Sequence, residues 1–152
     1  MIKVVLNSEA DTEVLARDLA KVLRPGESIG LSGDLGAGKT TFVRYVIGAM
    51  GGDIQEVSSP SYTLQHEYKL PADLLVEHWD LYRLRDLPEE LREPTSSSSI
   101  RFLEWPERCP GLSQDLDFHC QFSLCGDGSR EVVIAGADID VRLASVGLRG
   151  VP

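Results

Sequence analysis

Eight consecutive residues, Gly33 Asp34 Leu35 Gly36 Ala37 Gly38 Lys39 Thr40, carry the pattern G-x-x-x-x-G-K-[ST]. This is a P-loop, and its chemistry is that of an oligophosphate. Glycines let the chain come close, successive backbone N–H groups turn inward around a phosphate, and the following helix presents the positive end of its dipole. Lys39 would bridge the outer phosphates, and the Thr40 hydroxyl would be a ligand of Mg2+ held between the last two. With the adjoining Thr41, these residues form the candidate nucleotide-binding segment.

Two carboxylates could complete the site. Asp80 follows the apolar run Leu74–Trp79 and Glu104 follows Ile100–Leu103, so both are expected at strand ends, where open α/β sheets bind ligands. Either could serve Mg2+, the lesser alternative being that each is a solvated strand end; spacing alone does not separate them. The segment Ser58 Ser59 Pro60 Ser61 Tyr62 Thr63 reads as a loop sensing an outer phosphate or as an ordinary proline turn. Arg83 and Arg85 suit a phosphate or partner contact or a solvated positive face, and Trp79 and Trp105 read as packing residues before base-stacking ones.

The elements that must position these groups follow from periodicity. Lys3–Leu6 is a short apolar run, and Ser8 with Asp11 has the form of a capping box opening a helix. Leu15, Leu19, Val22 and Leu23 line one helical face until Pro25 and Gly26. Ile29 and Leu31 make a buried strand running into the glycine-rich turn; Phe42, Val43, Val46, Ile47 and Met50 then share a helical face that Gly51 and Gly52 end. Short strand-like runs follow at Gln55–Val57, Tyr62–Leu70 and Leu74–Trp79, the last two as a hairpin. Pro88 opens a short acidic helix, Ile100–Leu103 is a strand, and Phe118–Leu124 pairs with Glu131–Ala135 across Gly126 Asp127 Gly128. The four serines Ser96–Ser99 read as a mobile loop. The fold class expected is α/β: a P-loop NTPase-like mixed β-sheet flanked by helices, with residues 1–137 as one domain and 138–152 as a tail whose packing the sequence leaves open.

Composition sets outer bounds. A chain of 152 residues is one domain's worth, and 42% hydrophobic residues can supply a core without staples. Twenty-four acidic against fifteen basic residues leave a net charge of −9, which repels phosphate backbones and argues against broad, unaided nucleic-acid binding. No apolar run has the length of a membrane span and Met1–Leu6 lacks the flanks of a signal peptide, so a cytoplasmic location without membrane contact is expected. Cys109, Cys120 and Cys125 show no C-x-x-C spacing and are expected as reduced thiols; His66, His78 and His119 are too scattered for a zinc site. No lysine is followed two residues later by aspartate, so the N/T-K-x-D guanine signature is missing, and the arginines form no dense lid cluster of the kinase kind.

The ordered set GDLGAGKTTF (Gly33–Phe42), SPSYTL (Ser59–Leu64), EY (Glu67, Tyr68), HWDLYRL (His78–Leu84), PEEL (Pro88–Leu91) and EWPE (Glu104–Glu107) resembles the TsaE family, also called YjeE, from about Ser8 to Ala135. The resemblance implies a bacterial P-loop ATPase that uses ATP and Mg2+ in forming threonylcarbamoyladenosine beside the anticodon of tRNA. It implies work with a TsaB–TsaD heterodimer, to which the transfer chemistry belongs, and contact with tRNA only through that complex. By position, the family's Mg2+ ligands fall on Thr40 and Glu104, its activating aspartate on Asp80 and its phosphate-gripping lysine on Lys39. The N-terminal nucleotide contact falls around Glu9 and Thr12, the switch on Ser59–Thr63, and the late adenine-side contact on Ser129 and Arg130. Three positions depart from the family's pattern: Ser61 replaces a threonine, Arg92–Leu103 is shorter and lacks a G-I-R-D-Y-like helix, and Trp79 stands where phenylalanine is common. Beside this partner-stimulated ATPase, a small nucleotide or metabolite kinase and a binding module without turnover remain the rival readings.

Overall fold

The computed structural model describes residues 1–57, 64–112 and 115–150. Seven strands, β1 (Ile2–Leu6), β2 (Ser28–Ser32), β3 (Gln65–Lys69), β4 (Leu75–Asp80), β5 (Ser99–Glu104), β6 (Phe118–Leu124) and β7 (Arg130–Gly136), form one sheet in the order β1-β7-β6-β2-β5-β4-β3. The pairs β2–β5, β2–β6 and β4–β5 are parallel; β3–β4, β6–β7 and β1–β7 are antiparallel. Three helices, α1 (Glu9–Val22), α2 (Lys39–Ala49) and α3 (Ile139–Ser145), complete a single α/β domain. The mixed sheet and both hairpins agree with the periodicity.

Alternation along the strands divides the core. Ile29 and Leu31, Val76, Ile100 and Phe102, and Phe118 and Phe122 point to one face, where they meet Leu15 and Leu19 of α1 and Phe42, Val46 and Ile47 of α2. The opposite residues Trp79 and Leu103 pack with Leu81, Leu91, Cys109 and Leu112, which belong to the connections after β4 and β5. Every residue of β2 and of β5 is buried, as central parallel strands require.

At the start of α1 the Ser8 side chain accepts from Asp11 N at 3.2 Å. The returning bond runs from Asn7 N to Asp11 Oδ2 at 2.8 Å, one residue earlier than in a strict capping box.

Three local expectations are corrected. Gln55–Val57 is no strand: Ile54–Glu56 is a 3₁₀ turn, opened by Asp53 Oδ1 accepting from Gln55 N at 2.9 Å, a local bond that competes with strand pairing. The acidic helix after Pro88 is a single 3₁₀ turn, Glu89–Leu91. The serine tract is tied into the sheet: Leu75 N donates to Ser98 O at 3.0 Å, Gly26 N donates to Ser99 O at 2.7 Å, and Ser99 is the buried first residue of β5. At the C-terminal end, α3 buries Ile139 and Leu143 in the helix-side core. The three cysteines are free, and burial pushes the Cys120 thiol up to about 12. Among the described residues no helix is long and apolar enough to cross a membrane.

Candidate functional site

The connection from β2 to α2 needs its glycines. At Gly33 φ is +137°, and a Cβ there would lie 2.5 Å from the Phe122 carbonyl oxygen. Gly38 occupies the cap position of α2 with φ +109°, and no side chain of the described residues caps that helix. Behind the loop, Phe42, Val43, Val46 and Ile47 are wholly buried, and Phe42 meets Phe122 edge-on with ring centroids 5.5 Å apart. The start of α2 is thus held firmly by its apolar face.

Lys39 is only 5% exposed. Its Nζ donates to the carbonyls of Gly33 and Asp34 and lies 4.3 Å from the centroid of the Trp105 ring. Burial pulls its pKa below the ordinary lysine value by desolvating the ammonium, while the carboxylates of Glu104, Glu107, Asp80 and Asp34 oppose that shift. The cation is held by neutral acceptors in a poorly hydrated position, so an anion there would be a stronger partner than those it has.

β4 and β5 pair with Asp80 opposite Glu104, which brings both carboxylates to the same end of the sheet. Glu104 is nearly buried, and its Oε1 accepts from Thr40 Oγ1 at 2.8 Å and lies 3.0 Å from His78 Nε2. Asp80 Oδ1 accepts from Tyr82 N at 3.0 Å. Trp105, with φ +61°, lays its ring near both Tyr82, centroids 4.8 Å apart, and Lys39, so it is a wall of the site as well as a packing residue. Trp79 is simply buried.

A cavity of about 320 Å³ opens here, lined by Leu35, Gly36, Gly38, Lys39, Thr40, Thr41, Asp80, Tyr82, Arg83, Glu104, Trp105 and Arg130. Arg130 reaches in from the start of β7, its Nη2 3.4 Å from Gly36 O. Other sequence-selected residues lie outside this lining. Gly33 and Asp34 contribute their carbonyls to Lys39, and Ala37 is buried beneath the loop. Ser129 is bonded to Asp127 Oδ1 through its hydroxyl, at 2.6 Å, and its amide. Glu9 accepts from the Tyr45 hydroxyl at 2.7 Å, and Thr12 is buried within α1. The segment Ser59–Thr63 lies outside the described residues.

Sequence reasoning missed His78. Its cue was alternation: His78 falls between Val76 and Asp80 on the helix-facing side of β4, where an apolar residue is expected. It also missed Ser32, whose hydroxyl lies 2.8 Å from both Glu107 Oε2 and His119 Nε2 on the other face of the sheet. The Thr40 hydroxyl and the Asp80 and Glu104 carboxylates form a hard-oxygen donor set of the kind Mg2+ takes, which fits that ion better than a softer metal.

A central parallel sheet, a glycine-rich loop running into a helix, and carboxylates ending the neighbouring strands define an α/β protein of the P-loop NTPase-like fold. The crystal structure of YdiB from Bacillus subtilis superimposes with a TM-score of 0.68 at 23% identity, covering 96% of this chain and 95% of that one, a likeness of fold. Residues 6–132 match the family described as threonylcarbamoyl adenosine biosynthesis protein TsaE, and the chain belongs to that family. Curated relatives carry the name tRNA threonylcarbamoyladenosine biosynthesis protein TsaE. The one from Rickettsia felis is 38% identical over 107 residues, 68% of this chain and 61% of the relative; the one from Aquifex aeolicus is 35% identical over 133 residues, 87% and 94%. The chain therefore spans less than two thirds of the length of the Rickettsia felis and Rickettsia conorii relatives, at 61% and 59%, and nearly all of the Aquifex one.

Proposed function

We propose that this chain binds and hydrolyses ATP with Mg2+ as a component of tRNA threonylcarbamoyladenosine formation, acting with a TsaB–TsaD-like heterodimer. The observation that carries the reading is the meeting of Lys39, Thr40 and Glu104 at the side-chain-uncapped start of α2, inside one cavity. The helix start offers amides and a positive dipole end to phosphate oxygens. Lys39 exchanges its carbonyl partners for the outer phosphates, a charge-assisted pairing. Thr40 and Glu104 hold Mg2+, and Asp80, at the end of the adjacent strand, orients and activates the attacking water. When bound, Mg2+ would supply positive charge to offset that of the phosphate oxygens. Glu9, Thr12, Ser129 and Arg130 are proposed to complete nucleotide contact, and Ser59–Thr63 to answer the outer phosphate. Because the chain carries a net charge of −9, tRNA is engaged through the partner complex and not by this surface.

The test is reconstitution: this protein mixed with a TsaB–TsaD pair, tRNA, ATP and Mg2+, measuring released phosphate and modified adenosine. Both should appear with the wild-type chain and fail with Lys39→Ala. Phosphate from labelled ATP transferred to a small acceptor, instead of to water, would establish the kinase reading in its place.

A further inference from the structure

His78 has no part in the function just proposed, yet it is wholly buried beside the cavity's carboxylate. Its register partner on β5 is Phe102, and it reaches diagonally to Glu104, two residues further on. Nε2 stops 3.0 Å from Glu104 Oε1, the same oxygen that accepts the Thr40 hydroxyl. The other ring nitrogen, Nδ1, is buried without a hydrogen-bond partner among the described residues. An imidazole enclosed with one nitrogen unsatisfied costs stability that an apolar side chain would avoid, as Val76 and Phe102 do nearby. Packing alone therefore gives no reason for histidine at this position, whereas the bond to Glu104 does.

Glu104 Oε1 already accepts the Thr40 hydroxyl, and an imidazole that bonds the same oxygen as a donor carries its proton on Nε2. Two donors, the imidazole and the Thr40 hydroxyl, then converge on Oε1. Together they fix the rotation of the carboxylate and leave Oε2 as the oxygen for a cation. We infer that His78 is a positioning residue that sets Glu104 for Mg2+ binding from behind, acting through Glu104 and touching neither metal nor nucleotide. Such outer partners tune a metal site by holding its ligands in place. This inference rests on the Mg–ATP reading of the site.

The experiment is calorimetric binding of a non-hydrolysable ATP analogue over a range of Mg2+ concentrations and in EDTA. It compares the wild type, His78→Phe, His78→Gln, Glu104→Ala and the His78→Phe/Glu104→Ala pair. The Mg2+ concentration giving half of the affinity gain should rise about tenfold or more in His78→Phe. Binding in EDTA should stay unchanged, since the phosphate loop is untouched. His78→Gln, whose amide can donate from nearly the place of Nε2, should recover most of the Mg2+ response. In the Glu104→Ala background His78→Phe should add nothing, because the two act as one unit. Full Mg2+ dependence in His78→Phe, an equal loss in EDTA, or additive effects in the pair would overturn the inference while leaving the Mg–ATP reading intact. A wild type whose binding ignores Mg2+ would overturn both. Nitrogen-15 NMR of the unmutated protein decides the matter if the variants do not fold: the proton should be on Nε2 and its resonance should move when Mg2+ and the analogue bind. A proton found only on Nδ1, or an Nε2–H signal indifferent to Mg2+, would refute the positioning role.

Discussion

The helices α1 and α2 lie side by side on one face of the sheet and begin in opposite ways. α1 closes its own start: Ser8 accepts from Asp11 N, Asp11 accepts from Asn7 N, and Glu9 and Asp11 place negative charge in the first turn. α2 has Gly38 at its cap position, has no acid in its first turn, and receives no cap from any described side chain. Its first residue is a buried lysine whose charge burial disfavours. Both helices bury a full apolar stripe, so the difference concerns the termini alone. A helix start built for stability satisfies its own N-terminal amides; one that leaves the amides and dipole unanswered gives up stability in exchange for an anion site. Three buried polar atoms without partners among the described residues, His78 Nδ1, Trp79 Nε1 and Arg130 Nε, lie on β4 and at the start of β7, toward the same end of the sheet. Elsewhere the buried charges are paired: Arg101 with Glu77 at 3.0 Å, midway along β4 and β5, and Arg142 with Glu27 at 2.6 Å, just ahead of β2.

If the helices differ only at their starts, Leu19→Ala in α1 and Phe42→Ala in α2 should both destabilise strongly, by about 2–5 and 3–5 kcal/mol. Urea unfolding measures this, and a small loss at Phe42 would break the comparison by showing that α2 is not anchored through its core face. Next, Lys39→Met should weaken ATP binding by about a hundredfold or more, roughly 2.7 kcal/mol, through loss of a charge-assisted phosphate contact. Its Tm should hold or rise, because the variant removes a charge that burial disfavours. A lowered Tm with intact binding would invert the assignment. Ser8→Ala should cost about 1 kcal/mol of stability and leave ATP affinity unchanged, the mirror image of the Lys39 result.

A finer test gives α2 what it lacks. Thr41→Glu adds an acid to its first turn and should stabilise the nucleotide-free protein by about 0.3–1 kcal/mol while weakening ATP binding by like-charge repulsion. Scanning calorimetry with and without ATP separates the two effects. The smallest expected effect is on pH dependence. Burial lowers the His119 pKa below its ordinary 6.5 against the opposing pull of Glu107. The unfolded chain therefore takes up this proton first as pH falls, so stability is complete above about 6.5 and declines below it. His119→Gln should flatten that part of the curve of Tm against pH, and an unchanged slope would show the ring not to be desolvated.

The glycine-rich loop between β2 and α2 was legible because the residues that signal it are contiguous: the strand, the turn glycines and the apolar face of α2 all fall within Ser28–Ala49. The capping of α1 and the two hairpins were legible for the same reason. Gln55–Val57 was misread because the Asp53 side chain offers a closer bond than any partner strand, a competition that hydrophobicity does not report. The serine tract was misread because composition says nothing of the carbonyls at Ser98 and Ser99 that Leu75 and Gly26 use.

By itself the sequence determined the periods, the turns and the loop chemistry, since these depend on residues within a few positions of one another. Tertiary structure decided which distant residues meet. Asp80 stands beside Glu104 because β4 and β5 pair in one particular register, and a slip of β4 by one residue would turn Asp80 and His78 to the other face, away from Glu104. That register comes from filling the space between sheet and helices with Val76, Ile100 and Phe102, a balance struck over the whole core. The packing of α3 through Ile139 and Leu143 was settled in the same way, by the space the rest of the fold left open to it.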